Sequence, residues 1–344
     1  MKTLRFAALS LMLLLSAGAF AQITRITNGD TLIIEFGIDP SQPKDCNLYP
    51  GETNCNHLRV DGNGNGSVTC FMGFKSITVN KGTVANEYEY TTDSVKIIVN
   101  RDAKFYNNKN ISYGEITVNG GSFENLNRAD IGADVSVTAG VFVNVMGTIS
   151  GNIELSGGEF LGSSYPTSGV NVIKSDSILL TGGKFANYET IESSTTITVK
   201  GGKFLNYKEE KNNDGGLTAN IIVDGGRFDN GSDGISTVYT VTGNITVKSG
   251  EFHNWGKISS EITLKGGEFV NETSGKMPIK NKSQKLTIDG GKFTNNGLMT
   301  GIKYENNKSC LIDINGGEFL NNAGATINDH PFQLWGGSLV NHGM

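Results

Sequence analysis

The chain has 344 residues, a formal charge of −5, 46 glycines, only 6 prolines and 37% hydrophobic residues. An acidic balance disfavours electrostatic binding to nucleic acid. Glycine at about twice its usual share, without proline-rich or charge-rich runs, points to punctuation in an ordered repeat and away from disorder.

Residues 1–21 read MKTLRFAALSLMLLLSAGAFA, with Lys2 and Arg5, then an apolar run, then Ala19-Phe20-Ala21. This is the pattern of a secretory signal cleaved after Ala21. The apolar run falls short of the roughly 20 residues that span a bilayer, and no later segment is longer and apolar. The mature chain is therefore expected outside the cytoplasm, secreted, periplasmic or at the cell surface, with no membrane span. Losing Lys2 and Arg5 makes it more acidic still.

Residues 22–57 lack the repeat that follows and are expected to form an amino-terminal cap. They hold Cys46 and Cys55, for which a disulfide is plausible in an oxidising compartment; Cys70 and Cys310 lie outside this segment. The stretch DGNGNG at 61–66 resembles the opening of a calcium loop through Asp61, Asn63 and Asn65. The twelfth position, however, is Met72 where a bidentate Glu belongs, so a Gly/Asn turn is the better reading. His57, His253, His330 and His342 form no H-x-x-x-H pair and the cysteines no C-x-x-C, so no metal or cofactor is expected.

From residue 58 to 344 one motif recurs: apolar-x-apolar-x-Gly-Gly-x-Phe-x-Asn, as in ITVNGGSFEN, IIVDGGRFDN, ITLKGGEFVN and LTIDGGKFTN. Starting from Phe105, its phenylalanines are Phe123, Phe142, Phe160, Phe185, Phe204, Phe228, Phe252, Phe269, Phe293 and Phe319, with Leu339 closing the series. The intervals are either short or long, in no fixed order, as in one basic coil with optional insertions. Apolar–polar alternation makes a strand with one buried face, so Ile116 and Val118 point inward while Thr117 and Asn119 point out. The second glycine is present in all eleven units from Gly121 to Gly337, whereas Ala139 and Ser249 replace the first. A site that takes only glycine has positive φ or no room for a Cβ. Parity then returns Phe and the later Asn to the interior. The predicted ladder is Asn125, Asn144, Asn187, Asn206, Asn230, Asn254, Asn271, Asn295, Asn321 and Asn341, with Gly162 the departure.

A single unit of this kind cannot bury its apolar face; stacking does. Coils of about 18 to 25 residues, within the range of solenoid repeats, with glycine corners, a Phe stack and an Asn ladder resemble the pectate-lyase-like superfamily. That resemblance implies an all-β, right-handed parallel β-helix of about 12–13 coils, carried by residues 58–344, with no catalytic signature of any family. A β-propeller, whose blades run to about 40 residues, fits less well.

Many parallel β-helices cleave polysaccharides, so a polysaccharide lyase or glycoside hydrolase is the alternative reading. Such catalysis needs paired acids, or a basic residue beside an acidic subsite. Charges do occur at outward positions, before the glycines (Lys200, Asp224, Lys248, Lys265, Asp289) and after them (Lys184, Lys203, Arg227, Glu251, Glu268, Lys292, Glu318). They recur in nearly every unit, as on a solvated face of mixed charge, and no local cluster of unlike groups is legible. An ice-binding T-x-T array is spoiled by the same charges. The favoured reading is a non-catalytic binding or structural rod, adhesin-like or glycan-binding, whose longer units carry polar Gly/Asn-rich loops. Its partner would be a polysaccharide or another surface protein, and end-to-end or lateral self-association is also compatible. The residues after the ladder Asn in four consecutive units are Tyr188, Tyr207, Gly231 and Trp255. Tyr188, Tyr207 and Trp255 are the candidate ligand-binding residues, since aromatic faces stack on pyranose rings.

Overall fold

The structure is a computed structural model, which describes residues 24–28, 31–36, 44–45, 55–62, 67–70, 72–145, 147–162, 172–188, 190–192, 194–207, 217–233, 240–278, 284–301, 312–328 and 332–343. The signal segment, Cys46, Asn63, Asn65 and Cys310 lie outside the described residues. The described chain contains no helix and winds into a parallel β-solenoid of about 12 turns.

Each coil has three faces. The strand before the glycine pair forms the first, the Phe-x-Asn strand the second, and a short strand after the ladder Asn the third. Parallel register places like on like: Ile116 beside Val135, Phe123 beside Phe142, and Asn125 beside Asn144. In four coils the first two faces join into one bent strand, Gly114–Asn125, Asp134–Asn144, Asn220–Asn230 and Ile245–Asn254. The third face begins as single bridges from Tyr90 to Ile111 to Ile131. It continues as strands from Thr148–Ile149 to Thr326–Asn328.

Two columns run through the interior. Eleven phenyl rings, Phe105 to Phe319, are fully buried. Successive centroids lie 4.3 to 5.1 Å apart with planes 4° to 13° from parallel. The coil spacing of about 4.8 Å sets this distance. Beside it runs the asparagine ladder, in which each Nδ2 donates to the Oδ1 one coil on. It reaches from Asn86 through Asn107 and Asn125 to Asn144, then from Asn187 to Asn341, at 2.7 to 2.9 Å. The same amides donate to the turn that follows, as Asn107 does to the Lys109 carbonyl at 2.7 Å. Gly162 is the gap in the series, as the sequence predicts.

Corner geometry uses both of the expected reasons for glycine. Gly202 has φ +67, and a Cβ there would also run into the Gly183 carbonyl. At Gly226 it is the preceding residue, Gly225, that takes φ +124, but a Cβ on Gly226 would sit 2.6 Å from Val199 Cγ1.

At the amino-terminal end, β1 (Thr24–Asn28) lies antiparallel on β2 (Thr31–Phe36). Strand β2 in turn stacks in parallel on β4 (His57–Gly62), and β3 (Lys44–Asp45) on β5 (Ser67–Cys70). Among the described strands, parallel stacking starts with Thr31 and β1 alone runs against it. Cys55 is buried, and Cys70 is buried and disulfide-bonded. Asp61 bonds Arg59 Nε at 2.7 Å and Asn80 Nδ2 at 2.6 Å, so both its oxygens are already engaged.

Candidate functional site

The column between Phe and Asn on the second face points away from the core, yet much of it is covered. Ala186, Leu205, Asp229, Val270 and Thr294 are all buried there. Most of the column is apolar, with Val143, Leu161, Leu320 and Val340 among the rest. Glu124 and Thr294 are polar exceptions, and two successive coils place Asp229 and His253 there.

Asp229, 3% exposed, anchors a string of ion pairs along the rod. Its Oδ2 meets Lys203 Nζ at 2.8 Å from the coil before, and its Oδ1 meets Arg227 Nε at 2.7 Å. Arg227 reaches on to Glu251 at 3.1 Å in the next coil. Burial by itself lowers the Arg227 pKa, but the hydrogen bonds and charges of Asp229 and Glu251 outweigh it and hold the guanidinium above its ordinary value. His253 extends the string, with Nε2 3.3 Å from Glu251 Oε2 and Nδ1 2.7 Å from Glu272 Oε1. Lys203, Asp229, Arg227, Glu251, His253 and Glu272 therefore form one chain of alternating partners across four coils.

The three aromatic residues singled out by sequence are all half-buried on the adjoining column, just after the ladder. The structure brings two of them together: the Tyr188 and Tyr207 rings stack at 5.7 Å with planes 25° apart. Trp255 stands two coils beyond Tyr207, across Gly231, and stacks on His253 at 5.4 Å and 15°. The aromatic column and the ion-paired string thus meet at the His253–Trp255 pair.

Periodicity did not single out Asp229, His253 or Glu272. The available signal was the column itself, mostly apolar where alternation calls for polar residues, and the Asp and His that occupy it in successive coils.

The described chain breaks off at two places in the coil. The segments that follow Gly162, Tyr207 and Asp233 fall between the second-face and third-face strands in chain order, and those that follow Pro278 and Gly301 between the third-face strand and the next coil. Two buried polar atoms, Thr294 Oγ1 and Asp313 Oδ1, have no hydrogen-bond partner among the described residues; the other Asp313 oxygen pairs with Lys285. Among the described residues no group of three His, Cys, Asp or Glu side chains is placed to hold a metal ion, and no helix is long and apolar enough to cross a membrane.

In comparisons with known proteins, no protein-family model, curated protein or solved structure matches the chain.

Proposed function

We propose that this chain is an exported, non-catalytic binding rod of the pectate-lyase-like β-helix type, which takes carbohydrate on the flank formed by Tyr188, Tyr207, Trp255 and the neighbouring ion-paired string. One observation carries the reading. His253 is both the stacking partner of Trp255 and the hydrogen-bond partner of Glu251 and Glu272, so ring surface and planar polar groups converge on one stretch of the flank. A pyranose has an apolar face and a rim of hydroxyls, and those two kinds of group match them. The repeat supplies a rigid rod on which successive sugars could be read at coil spacing. Export rests on the signal pattern of residues 1–21, and an extracellular or periplasmic glycan would be the accessible partner.

The alternative, a polysaccharide lyase or hydrolase, has the Glu251–His253–Glu272 run in its favour, since an imidazole between two carboxylates can move protons.

The test exposes the chain from Gln22 onward to a panel of neutral and acidic polysaccharides, following retention and the release of reducing or unsaturated ends together. Retention without turnover, lost in the Tyr188→Ala/Tyr207→Ala/Trp255→Ala variant, is the expected result. Turnover abolished by Glu272→Gln would establish the enzyme instead. Retention unchanged in the triple variant would reject the aromatic flank.

A further inference from the structure

We infer that His253 is a proton-operated link in the aromatic flank: doubly protonated, its ring joins Glu251 to Glu272, and neutral, it releases Glu251. What the link regulates rests on the carbohydrate reading of that flank; the link itself rests on the geometry of one ring.

Both ring nitrogens of His253 meet carboxylate oxygens. Nδ1 lies 2.7 Å from Glu272 Oε1 in the next coil, and Nε2 lies 3.3 Å from Glu251 Oε2 in its own. An ionised carboxylate only accepts hydrogen bonds, whereas a neutral imidazole has one donor and one acceptor. A neutral His253 therefore serves one of the two, and the shorter contact assigns its proton to Nδ1. That sets the Nε2 lone pair against Glu251 Oε2, acceptor against acceptor. The imidazolium carries a donor on each nitrogen and serves both. One proton taken up at Nε2 thus turns a repulsive contact into a charge-assisted hydrogen bond. The His253 side chain is only 15% exposed, so water is poorly placed to substitute.

The charged groups packed around the ring come from three coils. In the coil before, Arg227 and Asp229 stand in register with Glu251 and His253. Asp229 is already engaged by Lys203 and Arg227, and Arg227 also reaches Glu251. In the coil after, Glu268 and Val270 stand in register with Glu251 and His253, and Glu272 follows. With His253 protonated the string alternates in sign without a break: Lys203, Asp229, Arg227, Glu251, His253, Glu272.

The state of this ring reaches the flank through Trp255, which stacks on it at 5.4 Å and 15°. Held at both nitrogens, the imidazolium fixes its own plane and the indole lying on it. Glu251 Oε1 and Glu272 Oε2 remain for ligand hydroxyls. Loss of the Nε2 proton frees one side of the ring and loosens the stack. A flank ordered before a sugar arrives binds it more tightly, so binding should strengthen on the acid side of the imidazole range, between about pH 5 and 8.

Two readouts keep the link and the carbohydrate reading apart. The chain from Gln22 onward carrying Trp335→Phe retains Trp255 as its single indole. Its emission is followed without ligand across that pH range. An imidazolium in contact with an indole quenches it, so emission should rise with pH in one titration. His253→Gln should abolish the titration and His342→Gln should leave it, with folding checked by circular dichroism. Glu251→Gln should move the midpoint to lower pH, since a neutral amide no longer favours the cation. A flat profile, or a titration that survives His253→Gln, overturns the link. Retention on hydroxyethyl cellulose and on polygalacturonate is then compared at the two ends of the range. The expected result is retention several-fold stronger at the acid end, a difference lost in His253→Gln. Equal retention at both ends overturns the regulation while the link stands. No retention on either polymer at any pH overturns the carbohydrate reading and the regulation together, and the emission titration still decides the link.

Discussion

The rings of Phe204 and Phe228 stack 4.8 Å apart and within 6° of parallel, both fully buried, although a whole coil of chain separates them. Truncating one ring leaves a void that rigid coils on either side cannot close. Phe204→Ala should cost about 3–5 kcal/mol, read as a lowered denaturation midpoint, while Lys200→Ala should change it by less than about 0.5 kcal/mol. Lys203 is the wrong control for a surface charge, because its ammonium is one of the two partners of buried Asp229.

Gly202→Val should be among the most damaging single changes in the rod. It combines a backbone at φ +67, which a β-branched residue avoids, with a Cβ directed into the Gly183 carbonyl. Failure to accumulate folded protein, or a large fall in melting temperature, is the expected outcome. A variant as stable as the parent chain would show that the corner relaxes to another conformation.

The ladder has a direction, which an isosteric change can test. Asn271 accepts from Asn254 Nδ2 at 2.8 Å and donates to Asn295 Oδ1 at 2.7 Å. Asn271→Ala removes both bonds and should cost about 1–3 kcal/mol. Asn271→Asp keeps the shape but sets an acceptor against an acceptor inside a buried column, so at neutral pH it should be worse than alanine. Urea titration of both variants at one pH gives the ranking.

Tyr90 supplies a pH signature. Its buried phenol accepts the Phe74 amide at 2.9 Å, and burial pushes its pKa up from 10.0 to about 12. A raised folded-state value means that the neutral form is favoured by folding. The resulting stability is complete below pH 10 and is lost as pH rises through about 12. Tyr90→Phe should therefore lose stability at pH 7, where the Phe74 amide is orphaned, and should lack the Tyr90 share of the alkaline decline. Unfolding free energies of both proteins from pH 8 to 12 would show the gap between them narrowing. A constant gap would mean that Tyr90 does not ionise with unfolding.

Alternation and glycine spacing were enough to place Ile116 and Val118 inside, to stack the phenylalanines, and to align the asparagines including the break at Gly162. Those properties follow from local backbone parity: a residue's position within its own coil sets whether it faces in or out, and identical coils repeat that answer. Parity says nothing about what covers the outside. Asp229 and Leu205 are both outward by alternation and both buried, and only the stacked structure shows it. Likewise Lys203, Arg227 and Glu251 read as ordinary surface charges until coils of unequal length are set in register and bring them onto Asp229 and His253. Trp255 was legible as an aromatic in the right column, but its partner proved to be His253 two residues back, while Tyr188 and Tyr207 paired with each other. The sequence by itself determined the coil and its two internal columns, because each is set within one repeat. Only tertiary structure decided which outward columns are buried and which charges meet, because those depend on neighbours one coil spacing away in space that lie a full, variable turn of the solenoid away along the chain.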